Sequence, residues 1–433
     1  MRFSAAGTLR AAVVALTMAG PAVPLAHAVP AAPDTAAMLA RVRTLTAPAL
    51  AGRGSGTSAV LAAADTITGW LAAAGLEPAF AGAWQQAVPL TGTGWAGQDL
   101  AGREDRNVAG VLPGRGSLAD RWLVVGAHLD HLGRVVPAGD DAPPPGPDDY
   151  YPGANDNASG VTVVCDIIAR LVGDADATDR RGIVFAFFGG EEVGLQGSAR
   201  FVGEPPLPLD RVDAMINFDT VGRMTDRRLY VSGLGTTPAF ADIVPAANSD
   251  GLDLSLGQGG WSGSDHMSFN TREVPVLFVF GGPYEDYNRP ADTWDHLDPA
   301  SLRDVAAYGA RLVAAVASRP GPLPWRMVGE KDLREDGHVD GNRDTWFGSL
   351  PDFTEEIVGY KLAGVFDGSP AARAGLQKGD VLVRMAGEPI ADLAGFTRVL
   401  RAHDPGDLVE VEVRRDGSPL RFTVVMGNRA DRK

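Results

Sequence analysis

The chain has 433 residues, 45% apolar and 21% charged, which is enough for more than one domain with a full hydrophobic core. Its formal net charge of −15 disfavours nonspecific binding to nucleic acid or anionic membrane, and neither a nucleic-acid-binding module nor an internal repeat is visible. The single cysteine, Cys165, excludes an intramolecular disulfide; it falls in an apolar helical pattern and reads as a small core residue, not a nucleophile.

Met1–Ala28 has the form of a secretory signal. Arg2 and Arg10 supply the positive start, Ala11–Ala19 the short apolar stretch, and Ala26-His27-Ala28 a small-x-small cleavage site. Gly20, Pro21 and Pro24 break the apolar stretch, leaving it too short to span a bilayer. This predicts an exported chain, secreted or periplasmic, with no membrane span after processing.

Helical periodicity then runs through Met38–Leu76, interrupted by the loop Ala51–Ser58 (AGRGSGTS). Asn107–Leu112 and Trp122–Ala127 read as strands, and the turn segment Pro113–Arg121 between them predicts a hairpin. Pro137–Pro152, rich in Pro, Gly and Asp, reads as an exposed loop. Val161, Val164, Cys165, Ile168 and Leu171 recur at helical spacing, so Val161–Val172 is expected to be a helix, opened by Asn157–Gly160. Ile183–Phe188, Ala214–Phe218 and Val274–Phe280 read as strands buried on both faces, and Leu302–Val316 as a further helix. Strands alternating with helices predict a three-layer αβα domain on a mainly parallel sheet, an α/β fold, ending near Ser318. Arg319–Trp325 (RPGPLPW) is a linker by composition, and beyond it short strand-like runs with one helix near Leu393–Ala402 predict a small β-rich domain.

The chemistry gathers at element ends. Trp122–Ala127 exits into His128-Leu129-Asp130-His131, and the loop Gly153–Gly160 (GANDNASG) puts Asp156 ahead of a helix. Ile183–Phe188 exits through Gly189-Gly190 into Glu191 and Glu192. Ala214–Phe218 ends at Asp219, and Val274–Phe280 leads into Tyr287-Asn288-Arg289-Pro290-Ala291-Asp292-Thr293. In a parallel sheet these ends share one rim, where α/β folds bind ligands. Adjacent acids such as Glu191 and Glu192 repel unless a cation or proton lies between them; taken alone, they are equally well read as a solvated loop. A histidine and several carboxylates converging call for a divalent ion, zinc most commonly, and a carboxylate bridging two ions suits hydrolysis.

These segments together resemble the co-catalytic zinc aminopeptidases of the aminopeptidase S/Y type, relatives of glutamate carboxypeptidase and glutaminyl cyclase. The resemblance covers roughly Leu39 to Ser318 and rests on the motifs G-A-H-x-D, G-A-N-D-N-A-S-G and G-E-E-x-G-L-x-G-S. It implies two zinc ions and assigns His128 as a ligand, Asp130 as the group orienting a metal-bound imidazole, and Asp156 as the bridging carboxylate. It makes Glu191 the general base, Glu192 a ligand of one ion and Asp219 of the other, with the Tyr287 hydroxyl stabilising the tetrahedral intermediate. The resemblance fails at one place: where the family has histidine in Y-H-T-P-x-D-T, this chain has Asn288. An amide oxygen is a neutral, hard donor better suited to calcium or magnesium than to zinc. Three arrangements follow: Asn288 coordinates, a neighbour such as His296 or Asp286 takes its place, or a single ion sits with His128, Asp156 and Asp219. His131 reads as a loop hydrogen-bonder and is not assigned as a ligand.

Ser264-Asp265-His266 is no nucleophilic triad, since sequence neighbours cannot adopt that geometry; it resembles the family's S-D-H-x-x-F loop at the pocket wall. Trp261 beside it reads as a packed tryptophan, with contact to a substrate side chain as the alternative. His338 and His403 lie outside this domain and read as solvated. Val365–Asp380 (VFDGSPAARAGLQKGD) resembles the central motif of PDZ domains, over about Thr345 to Gly427, with Gly375 and Gly379 allowing a tight turn. That implies peptide or chain-end capture by strand addition, with the carboxylate loop at Trp346-Phe347-Gly348-Ser349.

The expected organisation is a signal at 1–28, a metallopeptidase domain at 34–318, a linker at 319–344 and a PDZ domain at 345–427. The expected activity is removal of N-terminal residues from peptides. Two alternatives stand beside it: a peptidase-fold binding protein crippled at Asn288 and acting through its PDZ domain, or a carboxypeptidase or cyclase on the same scaffold.

Overall fold

The computed structural model describes residues 34–95, 97–136, 139, 142–173, 179–260, 263–328, 345–351, 358–366, 368–390, 393–400 and 402–428. The signal at 1–28, Trp261, His338 and linker residues 329–344 lie outside these. No helix among the described residues is long and apolar enough to cross a membrane.

The larger sheet holds nine strands: β1 (Glu77–Pro78), β2 (Gln85–Pro89), β3 (Glu104–Leu112), β4 (Trp122–His128), β5 (Gly182–Phe188), β6 (Val212–Asp219), β7 (Arg228–Ser232), β8 (Asp253–Leu256) and β9 (Val276–Phe280). Their order is β1-β3-β5-β4-β6-β9-β7-β8, with β2 paired to β3. Strands β5, β4, β6 and β9 are mutually parallel, so their carboxyl ends share one rim. The hairpin expected between Asn107–Leu112 and Trp122–Ala127 does not form. β3 instead runs antiparallel to β5, which lies between the two. The reason is burial: every residue of β5 is buried, so it needs a neighbour on each edge and cover on each face.

Alternation supplies that cover. Ile183, Phe185 and Phe187 face one core with Leu123, Val125, Ile216 and Phe218, and Val184, Ala186 and Phe188 face another with Phe201 and Phe269. Helices α1 (Thr35–Leu45), α2 (Ser58–Ala73), α3 (Gly160–Val172), α5 (Phe240–Ala246) and α7 (Pro299–Ser318) close the first face; α4 (Gln196–Gly203) and α6 (His266–Asn270) close the second. The helices start on local signals. The Asp34 carboxylate caps α1 through Ala36 and Ala37 N–H, and Asp298 caps α7, whose first residue is Pro299. Cys165 is a buried thiol in α3.

A second sheet, all antiparallel, comprises β11 (Ser349–Pro351), β12 (Tyr360–Val365), β13 (Val381–Met385), β14 (Glu388–Pro389), β15 (Leu408–Arg415) and β16 (Ser418–Val425), with β10 (Thr345–Trp346) paired separately to β17 (Gly427–Asn428). Two helices accompany it where the sequence suggested one: α8 (Pro370–Ala374) and α9 (Leu393–Leu400). Gly375 ends α8 at φ 94° and Gly379 follows at φ 89°, the left-handed turn expected of these glycines. Asp380, buried, accepts hydrogen bonds from Arg415 Nε at 2.6 Å and from Gln377 N–H, which fixes the entry to β13.

Candidate metal centre

His128 is the last residue of β4 and Asp219 the last of β6, so sheet register alone brings both to the rim. Asp156 reaches it from the Gly153–Gly160 loop, which is zipped onto the end of β6 by every second side chain. Asn155 Oδ1 accepts from Gly222 N–H, Asn157 Nδ2 donates to the Phe218 carbonyl, and Ser159 Oγ accepts from Val221 N–H. With residues 155, 157 and 159 turned to the strand, Asp156 is the one left for chemistry. Its own N–H and that of Asn155 are received by the Asp292 carboxylate at 3.1 Å and 3.0 Å. The peptide bond joining Asp156 and Asn157 is cis.

Glu191 and Glu192 follow β5 after Gly189-Gly190. A Cβ at Gly189 would lie 2.8 Å from the Arg106 carbonyl oxygen, and Gly190 takes φ 68°, so glycine is needed for the chain to turn so close to β3. The Asp130 carboxylate, itself bonded by Ser55 Oγ at 2.8 Å, accepts the N–H of Glu191 at 3.1 Å and of Glu192 at 3.3 Å. This is more than the role expected of Asp130. Its carboxylate is 4.0 Å from His128 Nδ1, whose closer contact is the Asp130 carbonyl oxygen at 3.2 Å. Arg53, fully buried, donates to the carbonyls of Leu45, Leu129, Pro152 and Gly153, tying α1, the β4 exit and the Asp156 loop together.

The geometry brings these donors together at the spacing of metal ligands. His128 Nε2 lies 3.1 Å from Asp156 Oδ1 and 3.4 Å from Asp219 Oδ1. Donors each ~2.0 Å from one tetrahedral ion stand about 3.3 Å apart, so this set is already at coordination spacing. Asp219 Oδ1 is buried and accepts no hydrogen bond among the described residues, while Oδ2 takes the Ser264 hydroxyl at 2.8 Å. The other oxygen of Asp156 faces elsewhere: Oδ2 lies 3.9 Å from His131 Nδ1, which is 2.7 Å from Glu192 Oε1. His128, Asp156 and Asp219 thus form one candidate group, His131, Asp156 and Glu192 a second that shares Asp156 with it, and His128, Glu191 and Glu192 a third.

Electrostatics point the same way. Burial, and then the neighbouring Glu192 charge, raise Asp156 above the usual carboxylate range; burial holds Glu191 well above it and pushes Glu192 up to about 8. Burial alone would lower His128, but Glu191 and Asp219 outweigh it and raise its pKa well above the usual imidazole value. Burial opposes ionisation of Asp219 as well, yet His128 and the Ser264 hydroxyl hold its carboxyl low. So much acid around one imidazole is relieved by divalent cations, and the mixed nitrogen and oxygen donors fit zinc or a similar borderline ion.

The remaining site residues sit on the loop after β9. Tyr287 is half exposed; burial and the field of Asp156, Glu192 and Glu191 push its hydroxyl pKa up. Asn288 adopts φ 57°, and its amide oxygen is buried without a hydrogen bond among the described residues. His296 and Asp286 pair with each other at 3.0 Å, with Arg223 also on Asp286, and enter none of the three candidate groups. His131, set aside in the sequence, is the residue the structure adds; its signal was its position at the β4 exit, one residue beyond the Asp130 that clamps Glu191 and Glu192. Ser264, in the loop expected at the pocket wall, holds Asp219, and His266 stacks on Phe278 at 4.5 Å.

Residues 107–313 match peptidase family M28, and residues 341–426 match the PDZ domain. The chain carries an M28 peptidase domain followed by a PDZ domain. The M28 region is 32% identical over 179 residues to Aminopeptidase YwaD of Bacillus subtilis, covering 39% of this chain and 38% of that protein. It is 29% identical over 214 residues to a probable leucine aminopeptidase of Arthroderma otae, covering 46% of this chain and 54% of that one. The chain thus spans about half the length, or less, of these relatives. Among solved structures, BSAP, a zinc aminopeptidase from Bacillus subtilis, superposes with a TM-score of 0.52 at 17% identity, covering 70% of this chain and 100% of that one. A Zn-dependent exopeptidase from Parabacteroides distasonis gives 0.51 at 20%, covering 66% and 99%. At these identities the superpositions establish a shared fold, the mixed α/β sheet on which the M28 rim is built.

Proposed function

We propose that this protein is an exported, zinc-dependent aminopeptidase that removes N-terminal residues from peptides, with its PDZ domain docking a peptide or protein chain end. The observation that carries the reading is the Asp156 carboxylate, whose two oxygens face two different imidazoles, 3.1 Å from His128 and 3.9 Å from His131, with Glu191 beside them. The names of the relatives, aminopeptidases in both cases, support the substrate class. Export rests on the signal-like Met1–Ala28.

Zinc held by His128, Asp156, Asp219 and Glu192 would supply Lewis acidity toward the scissile carbonyl and a water acidic enough to ionise near neutral pH. The protein does the rest. Glu191, its main chain held by Asp130, receives the water proton and returns it to the leaving amine. The Tyr287 hydroxyl donates to the oxyanion. A rim this rich in carboxylates favours a free α-ammonium at the substrate end.

The test is direct. Chelated protein reloaded with zinc is expected to hydrolyse aminoacyl-p-nitroanilides and to spare an N-acetylated peptide, with activity lost on Glu191→Gln. Cleavage of the blocked peptide would point to a carboxypeptidase. No hydrolysis by zinc-loaded protein would leave a binding protein working through its PDZ domain.

A further inference from the structure

The resemblance implies a histidine for a second ion, and the loop that should bring it carries Asn288. The structure offers an imidazole from the other side. His131 is 1% exposed, and its ring seat is built for it. The main chain is anchored by its N–H on the Arg53 carbonyl at 3.1 Å, and the ring packs against Gly153, where a Cβ would stand 2.5 Å from Cδ2 and 2.6 Å from Cγ. Any side chain at 153 would evict the imidazole. The Nδ1 atom is 2.7 Å from Glu192 Oε1 and 3.9 Å from Asp156 Oδ2, two distances that bracket the ~3.3 Å expected between donors of one tetrahedral ion. The Nε2 atom makes no hydrogen bond among the described residues, so the ring is not a link in a longer polar chain; its polar contacts are to the Asp156–Glu192 pair. His296, the substitute suggested by sequence, is spent on Asp286, with its side chain 48% exposed.

We infer that His131 is the nitrogen ligand of the second metal position, completing it with Asp156 and Glu192 in place of the missing histidine at 288. This rests on the metallopeptidase reading above. It makes the second position a product of the β4 exit loop. Asn288 is then released from holding metal.

The experiment uses the full chain, stripped with chelator, reloaded with zinc, desalted and measured by elemental mass spectrometry. The unaltered protein is expected to hold about two zinc ions, His131→Ala about one, and Asn288→Ala about two. The double variant His131→Ala with Asn288→His should regain the second ion, because it restores an imidazole from the opposite side. Anomalous diffraction from zinc-loaded unaltered protein should place Nδ1 of His131 about 2.0–2.1 Å from the second ion. That measurement also decides the matter if His131→Ala does not fold. Two tightly held ions in a folded His131→Ala protein would overturn the assignment, as would a second zinc lying beyond hydrogen-bond distance of His131. One ion in the unaltered protein overturns it too, while leaving the peptidase reading standing. No bound zinc at all would instead bring down the metallopeptidase reading itself.

Discussion

The two halves of the metal centre are made from different kinds of backbone. His128 and Asp219 are terminal residues of neighbouring parallel strands, and their approach is dictated by the β4–β6 register. His131 and Glu192 lie past the strand ends and are placed by groups distant in the chain: the Asp130 carboxylate on the Glu191 and Glu192 amides, the Arg53 carbonyl on the His131 N–H, and the missing side chain of Gly153 beside the imidazole. A register cannot slip without turning a whole strand inside out, whereas a loop can be re-aimed by one substitution. The first half is therefore rigid by construction, and the second is where a lost ligand can be replaced.

The largest effect should come from removing what the halves share. Asp156→Ala is expected to abolish binding of both ions together and to leave no measurable hydrolysis; retention of one ion would break the symmetry argued from its two oxygens. Glu191→Gln should cost roughly 10²–10⁴-fold in kcat with zinc content unchanged, since it carries protons and is not needed to hold metal. Asp130→Asn sharpens the contrast. It loosens the Glu191–Glu192 turn, so zinc titration should show the second position weakened by about 10–100-fold and the first much less affected.

Acidity offers a fourth test. Burial raises Glu192 to about 8, far above its value in an unfolded chain. Between about pH 4 and 8 Glu192 thus keeps a proton in the metal-free folded protein that it has lost in the unfolded one, and its contribution to stability falls as pH rises through that window. A dication takes the place of that proton. Zinc should accordingly raise Tm more at pH 8 than at pH 5.5 in thermal melts with and without chelator; an equal gain at both would show that Glu192 does not hold the ion. The smallest effect is expected for Asn288→His. From sequence it should lift zinc from one ion toward two, but with His131 in place it should leave the stoichiometry at about two.

What could be read from the sequence follows the same division. The β4, β5, β6 and β9 runs announce themselves by composition, and whatever follows a parallel strand lands on the rim, so the meeting of His128, Glu192 and Asp219 there was legible in advance; Asp156 reaches it on a loop ahead of a helix, marked by the GANDNASG motif. The α8 and β13 turn was equally plain from Gly375 and Gly379. Strand order was not: the pairing of β3 with β5 depends on which strand needs burial on both edges, a property of the assembled sheet. The metal-side place of His131 was also hidden, because it follows from a glycine at 153 and an arginine at 53, residues far off in the chain whose packing no local pattern records. Asp130 was seen as a partner of His128, while its larger duty toward two backbone amides emerged only once β4 and β5 lay side by side.

Asp292 has a bearing on engineering. One carboxylate on the loop that presents Tyr287 grips the amides of Asn155 and Asp156, and the Tyr284 hydroxyl joins it at 3.1 Å. Specificity and metallation are thereby mechanically geared. Grafting a foreign segment between Phe280 and Thr293 to change which peptides are accepted would also tug on the floor of the catalytic chamber, unless the aspartate and its reach are preserved.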